Sequence, residues 1–167
     1  MYQFGPYAGC VLTFRETRVD EPTAHALVAS YFASRAETFP PEFGAYKPTF
    51  PDPADFVRPR GVFLVAVQDA PSNDTADVGC GGLRRLAPGR LELKHLWIEP
   101  RAQGNGFGRL LLTELERLAV ELGATELVLD TNASLIAAGS LYRTSGYLET
   151  APYNENPNAT HWYRKSL

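Results

Sequence analysis

The sequence predicts a mixed α/β fold (α+β mixed sheet), with helices flanking one mixed β-sheet. Three observations carry this. Short apolar runs rich in β-branched residues, as at 62–68 and 126–130, read as strands. Other segments place their apolar residues at helical spacing, most clearly 107–122. The resulting order is β, α, irregular, three β, α, β, α, β, so helices and strands intermingle rather than forming separate blocks. The chain has 167 residues, enough for one sizeable core. Residues 1–167 read as a single domain, with no repeat or linker.

Each element has its own signal. Residues 11–15 read as a strand. Asp20-Glu21-Pro22 announces a helix, with Asp20 a candidate N-cap and proline in the first turn. Ala26, Leu27, Val28, Tyr31, Phe32 and Ala33 continue an apolar face to about residue 37. Residues 39–59 hold six prolines, which forbid a long regular element. At most a short helix fits after Asp52-Pro53. A stretch this long in a compact domain suggests a lid or a binding wall. Strands follow at 62–68, 78–86 and 91–98, with a polar turn over 69–77 and Pro88-Gly89 between the last two. Leu110, Leu111, Leu115, Leu118, Ala119 and Leu122 share one helical face, and Gly123 stops that helix. Residues 126–130 form a short buried strand. Ser134 is placed to cap a helix that ends at Gly146, and a last strand runs near 161–165.

The bulk composition narrows the function classes. Net charge is −3 and the pI is about 5.6. That lacks the basic footprint of a nucleic-acid binder and mildly favours cationic substrates. No run approaches a membrane span, and Gly5, Pro6, Gly9 and Arg15 interrupt any leader-like apolar stretch. The cytoplasm is the expected compartment. Cys10 and Cys80 form neither a CxxC pair nor a metal spacing, and read as small buried thiols. No metal site is expected.

The informative stretch is Gln103-Gly104-Asn105-Gly106-Phe107-Gly108-Arg109, between a strand and the clearest helix. Alternate glycines let the backbone turn tightly and approach a ligand. The new helix offers free amides and a positive dipole end. Together they make an anion cradle suited to a phosphate or pyrophosphate, to which Arg101 and Arg109 add charge. A dinucleotide loop needs its third glycine one residue later, where Arg109 stands. The Gly-Lys-Ser/Thr of a phosphate-binding P-loop is absent. A purely structural glycine turn stays open on the loop alone.

Proline, then Gln103, Gly106 and Gly108 before an amphipathic helix, resembles motif A (Q/R-x-x-G-x-G/A) of the GNAT-type N-acetyltransferases. Residues 138–147, Ala-Gly-Ser-Leu-Tyr-Arg-Thr-Ser-Gly-Tyr, resemble motif B of the same family. The spacing between the two also fits. The resemblance covers residues 62 to 167 and, more loosely, the first strand and helix. It implies a mostly antiparallel sheet splayed between strands four and five. It implies acetyl-CoA as cosubstrate, held by Leu96, Trp97, Ile98 and the loop Gln103, Gly104, Asn105, Gly106, Phe107, Gly108 and Arg109. Where the family often has asparagine this chain has Leu135, and Asn132, three residues earlier, stands in for it.

Acetylating an amine requires that the nitrogen lose protons and that the departing thiolate gain one. The resemblance assigns Tyr142, at the motif B tyrosine, as the acid. A buried aromatic anchor is the alternative. Glu92 is the candidate base: by strand alternation it shares a face with Leu96 and Ile98, while His95 points the other way, and its place six residues before Ile98 resembles family members with a catalytic glutamate there. The alternative is a solvated glutamate paired with Lys94. The polar tail 153–163 is a candidate acceptor wall, and His161 and Glu155 are reserve bases. The expected partner is a small-molecule amine, with no nucleic acid and no membrane, and a homodimer is left open. Three other readings remain: a non-catalytic acyl-CoA-binding regulator, a peptide or protein N-terminal acetyltransferase, and a dinucleotide-binding domain.

Overall fold

A computed structural model of the chain describes residues 11–69 and 75–167. Cys10 and part of the polar turn at 69–77 lie outside them. Seven strands form one sheet: β1 (Val11–Glu16), β2 (Gly61–Asp69), β3 (Thr75–Ala87), β4 (Arg90–Ile98), β5 (Glu126–Thr131), β6 (Leu148–Thr150) and β7 (His161–Ser166). Their spatial order is β1-β2-β3-β4-β5-β7-β6. All neighbours pair antiparallel except β4 and β5. The helices are α1 (Pro22–Thr38), α2 (Phe107–Glu121) and α3 (Ile136–Thr144).

Two apolar layers hold the sheet. Leu111, Leu112, Leu115 and Leu118 of α2 pack on Leu83, Leu91, Leu93, Leu127 and Leu129. Ala24, Leu27, Val28 and Phe32 of α1 pack on Phe63, Val65, Val67 and Cys80 on the other face. Ala26 and Ala33, assigned to the buried stripe of α1 by spacing, are exposed, and Arg35 is buried in that stripe instead. The proline-rich stretch makes two 3-10 turns, Pro41–Phe43 and Pro53–Phe56. Asp52 caps the second by accepting from the Ala54 amide at 2.9 Å. Phe56 of that turn packs against β3 at Gly82, where an added Cβ would stand 2.7 Å from the Phe56 ring. Glycine there lets the proline-rich wall lie close on the sheet.

Three local expectations are corrected. Asp20 pairs with Arg18, and Glu21 takes the N-cap position of α1. Ser134 does not cap α3. Leu135 occupies that position without a side-chain bond, and Ser134 instead donates its amide to Asn132 Oδ1 at 3.0 Å. The strand β6 has no counterpart in the sequence reading. It has three residues, and its Leu148 is exposed, so it gives no burial signal.

The feature that creates the site lies in β4. Between the pairs Gly82↔Lys94 and Cys80↔Trp97, β4 uses one residue more than β3. His95 takes up the excess with φ of 56°, a β-bulge conformation. The parallel ladder with β5 holds at Arg90, Leu91 and Glu92 and then stops. Beyond it the two strands part.

Candidate active site

The bulge also resets the side-chain alternation. Leu91 and Leu93 face α2, and so do Leu96 and Ile98. Trp97 faces the α1 layer. Glu92 and Lys94 therefore lie on the α1 face, opposite Leu96 and Ile98, and the expected sharing of a face is overturned. His95 lies on the α1 side too, its ring near Tyr31, Phe32 and Phe56. Strand parity holds only while the ladder is regular, and one extra residue inverts it.

Where β4 and β5 separate, a cavity of ≈ 1320 Å³ opens. One lobe is bounded by Leu96, Trp97 and Ile98, by the loop from Gln103 to Arg109, and by α3. Gly104 and Gly106 have φ of 82° and 77°, so the loop requires residues without a Cβ penalty. Asn105 Nδ2 donates to the Ala102 carbonyl at 3.1 Å, and Gln103 Nε2 donates to that of Ile98 at 2.8 Å. These bonds set the loop's curvature. The amides from Gly104 to Gly108 have no acceptor among the described residues, and those of Phe107 and Gly108 open the α2 dipole. This is an anion cradle. The β4 edge from Lys94 to Ile98 likewise has no strand partner on its β5 side.

Arg109 lines this lobe, its guanidinium held by Thr144 Oγ1 at 2.7 Å and Ser145 Oγ at 3.1 Å. Arg101 turns away to Glu99 and the Asp77 carbonyl. Asn132 is buried at the rim. Its Nδ2 donates to the Asn158 carbonyl at 3.0 Å while its Oδ1 accepts from Ser134. Tyr142 borders the cavity from α3, its ring against Tyr147 and Tyr163. Its hydroxyl has no hydrogen-bond partner among the described residues. Burial raises this phenol well above its usual range, so it keeps its proton.

The other lobe lies under α1 and the proline-rich wall. Lys94 Nζ bonds both Asp130 oxygens, at 3.2 and 3.1 Å. Asp130 also accepts from Asn154 Nδ2 at 2.6 Å and Asn156 Nδ2 at 3.1 Å. Asp130, Lys94, Asn154 and Asn156 all border the cavity. Glu92 does not. It is 0% exposed and accepts from Arg84 Nε, Tyr153 OH at 2.8 Å and Asn154 Nδ2 at 3.4 Å, with Lys94 Nζ 3.4 Å away. The expected pairing of Glu92 with Lys94 is present, but in a buried network and not in solvent. Burial first, then the charges of Lys94 and Arg84, hold the His95 imidazole down to about 3. It is neutral near neutral pH.

The tail 153–163 braces this lobe. Asn158 clasps the proline-rich wall at Lys47 through bonds of 3.0 and 2.7 Å. Trp162 Nε1 donates to Asn154 Oδ1 at 2.8 Å. Asn154, Asn156 and Asn158 line the cavity, whereas His161 and Glu155 do not. Cys80 is buried beneath His95, and burial pushes its thiol up to about 12.

A family profile described as "Acetyltransferase (GNAT) family" matches residues 22–147. The chain belongs to the GNAT acetyltransferase family. The chain is 36% identical over 100 residues to an uncharacterised N-acetyltransferase of Schizosaccharomyces pombe, a match covering 59% of each chain. A solved structure from Klebsiella pneumoniae, provisionally described as an acyl-CoA N-acyltransferase, is 26% identical with a TM-score of 0.72, over 93% of this chain and 97% of that one. A GNAT acetyltransferase from Elizabethkingia anophelis, solved with acetyl-CoA bound, shares the fold at 16% identity and a TM-score of 0.61, over 93% and 98% of the two chains. The matched regions span about three fifths or less of the curated relatives' lengths. Among the described residues no helix is long and apolar enough to cross a membrane, and no cluster could hold a metal ion.

Sequence reasoning missed Asp130 and Arg35 as cavity residues. Asp130 was legible as a carboxylate ending an apolar strand; Arg35 falls at i+7 from Val28 on the stripe that Tyr31 and Phe32 continue, but a long cationic side chain there reads as solvent-facing. The loop makes a direct test. Gly106→Val forces a β-branched residue into φ of 77°. On the acetyl-CoA reading proposed below, it should lower cosubstrate affinity by roughly tenfold or more, equivalent to about 1.4 kcal/mol, and leave the fold intact. Titration calorimetry together with the far-ultraviolet spectrum checks both halves.

Proposed function

We propose that this acetyltransferase moves the acetyl group of acetyl-CoA to the nitrogen of a small-molecule amine, with residues 1–167 acting as one acyl-CoA-binding unit. One observation carries the reading. A single cavity joins loop amides and a Tyr142 hydroxyl without partners among the described residues, and an open β4 edge, to the Asp130 carboxylate.

Acetyl-CoA supplies an acyl carbon activated as a thioester. The amides of Gly104 to Gly108 bind its pyrophosphate. The β4 edge at Leu96, Trp97 and Ile98 pairs with the pantetheine arm, and Asn132 and Arg109 border its path. Asp130 takes the first proton from the acceptor ammonium, which frees the lone pair for attack. The new N–C bond forms as the C–S bond breaks, and Tyr142 gives its hydroxyl proton to the sulfur. The nitrogen's second proton returns to Tyr142, and Asp130 releases the first to solvent, which closes the balance. Glu92 holds Arg84, Lys94 and Asn154 in place and so positions Asp130. The enclosed lobe, with Lys47 fastened to Asn158, supports a small acceptor over a folded chain.

Acetyl-CoA at 100 times its dissociation constant should stabilise the protein by roughly 2.7 kcal/mol. NAD should not shift the melt comparably. A thermal melt with each, followed by thiol release against an amine panel, tests the reading. A rise with NAD and none with acetyl-CoA ends it.

A further inference from the structure

Arg35 is the one buried cationic residue among those described, at 4% exposure. It borders the acceptor lobe from the last turn of α1. Buried cations are ordinarily matched by an anion. Lys94 is matched by Asp130 and Glu92, and Arg84 by Glu92. Arg35 has no carboxylate partner among the described residues. Its hydrogen bond goes to Thr38 Oγ1 at 3.3 Å. Its guanidinium carbon lies 5.8 Å from the Phe39 ring centre and 5.7 Å from that of Tyr46. Such rings attract a cation but accept no N–H in place of a carboxylate. Most of the guanidinium's donors are therefore left for something that enters the cavity.

The surroundings place this charge in relation to the chemistry. Tyr31, Phe32, Tyr46 and Phe50 form apolar walls around the same lobe. Burial raises the Tyr46 phenol, Arg35 pulls it down and Asp130 pushes it up, so Tyr46 senses both charges. Tyr31 senses both as well. The lobe thus offers an aromatic body site with a carboxylate and an unmatched guanidinium lining the same cavity.

We infer that the acceptor is an amine that also bears a carboxylate, and that Arg35 binds that carboxylate while Asp130 takes the ammonium. This rests on the acetyl-transfer reading above. A planar fork of donors suits a carboxylate, and the buried, aromatic-walled setting strengthens the pair.

The test uses the full chain with acetyl-CoA and matched acceptors: L-phenylalanine with L-phenylalaninamide, L-leucine with L-leucinamide, and 4-aminobutyrate with butylamine. Within at least one pair the acid should show kcat/KM about tenfold above its neutral partner. Arg35→Gln should abolish that advantage through KM and leave kcat on the neutral amine within about twofold, while Arg35→Lys keeps part of it. Equal rates within every pair, or a neutral amine slowed as much as its acid by Arg35→Gln, overturn the inference. Arg35→Met should not lower the melting point of the free protein, because it removes an unmatched buried charge and keeps the stem. A large fall assigns Arg35 to the fold and likewise overturns it. Melts with N-acetyl-L-phenylalanine and its amide need no turnover and separate the two readings. Arg35-dependent stabilisation by the acid alone, with no thiol release from any amine, supports the carboxylate site and refutes acetyl transfer. Acetylation of neutral amines with no such stabilisation does the reverse.

Discussion

Asp130→Asn should lower turnover on any working amine by about 10²–10⁴, the usual span for loss of a general base. The loss should shrink as pH rises. An aliphatic ammonium titrates near pH 10, so at higher pH more acceptor arrives already neutral and needs no base. The variant's rate should therefore climb with pH past the point where the wild-type profile has levelled. Glu92→Gln separates proton acceptance from support. Glu92 is sealed under Arg84, Tyr153 and Asn154 and lines no part of the cavity. Its amide variant removes the counter-charge of Arg84 and Lys94 and should cost about 1–3 kcal/mol of stability. The rate should fall less than for Asp130→Asn, with the wild-type pH profile retained. The decisive comparison is the pH–rate profile of the three proteins on one amine. If the pH-dependent loss follows Glu92→Gln and spares Asp130→Asn, the base is Glu92, reached through Asn154.

The contrast between these two carboxylates also shows what the sequence carried and what it did not. The strands either side of the β4–β5 gap, the helix from Phe107 and the glycine loop were all legible, because each rests on local period or turn chemistry; the splay between those strands came only with the family resemblance, and their parallel pairing was not read at all. The face of Glu92 was not. It depended on an extra residue at His95, and nothing in Leu91-Glu92-Leu93-Lys94-His95-Leu96 singles out a bulge, since histidine, though enriched among non-glycine residues at positive φ, adopts it only uncommonly. Up to the bulge the alternation held, with Leu91 and Leu93 on the α2 side. Past it every assignment inverted. Arg35 was hidden for a different reason. Long cationic side chains on an apolar stripe usually carry their charge out to solvent. Here the proline-rich wall closes over the stripe, with Tyr46 against the guanidinium, and that wall has too little regular structure for its path to be read from residue types.

Tyr142→Phe should leave the fold and acetyl-CoA affinity nearly unchanged and lower turnover by about 10²–10⁴. The ring makes the packing contacts, 5.7 Å from Tyr147 and 6.1 Å from Tyr163 between centres. Phenylalanine preserves both. The hydroxyl bonds no described residue, so deleting it strands no buried partner and should cost well under about 1 kcal/mol. On the proposed mechanism, what disappears is the proton available to the sulfur. Because burial raises this phenol far above its usual range, it stays protonated across the working pH. The loss should therefore be a uniform drop of the plateau with no change in profile shape, unlike the pH-dependent loss at Asp130. Acceptors cannot compensate, since their ionisation does not touch the leaving group. Single-turnover thiol release with acetyl-CoA prebound isolates this step from binding. A Tyr142→Phe protein that melts several degrees lower yet releases thiol at the wild-type rate makes Tyr142 an aromatic anchor. Protonation of the sulfur would then fall to solvent.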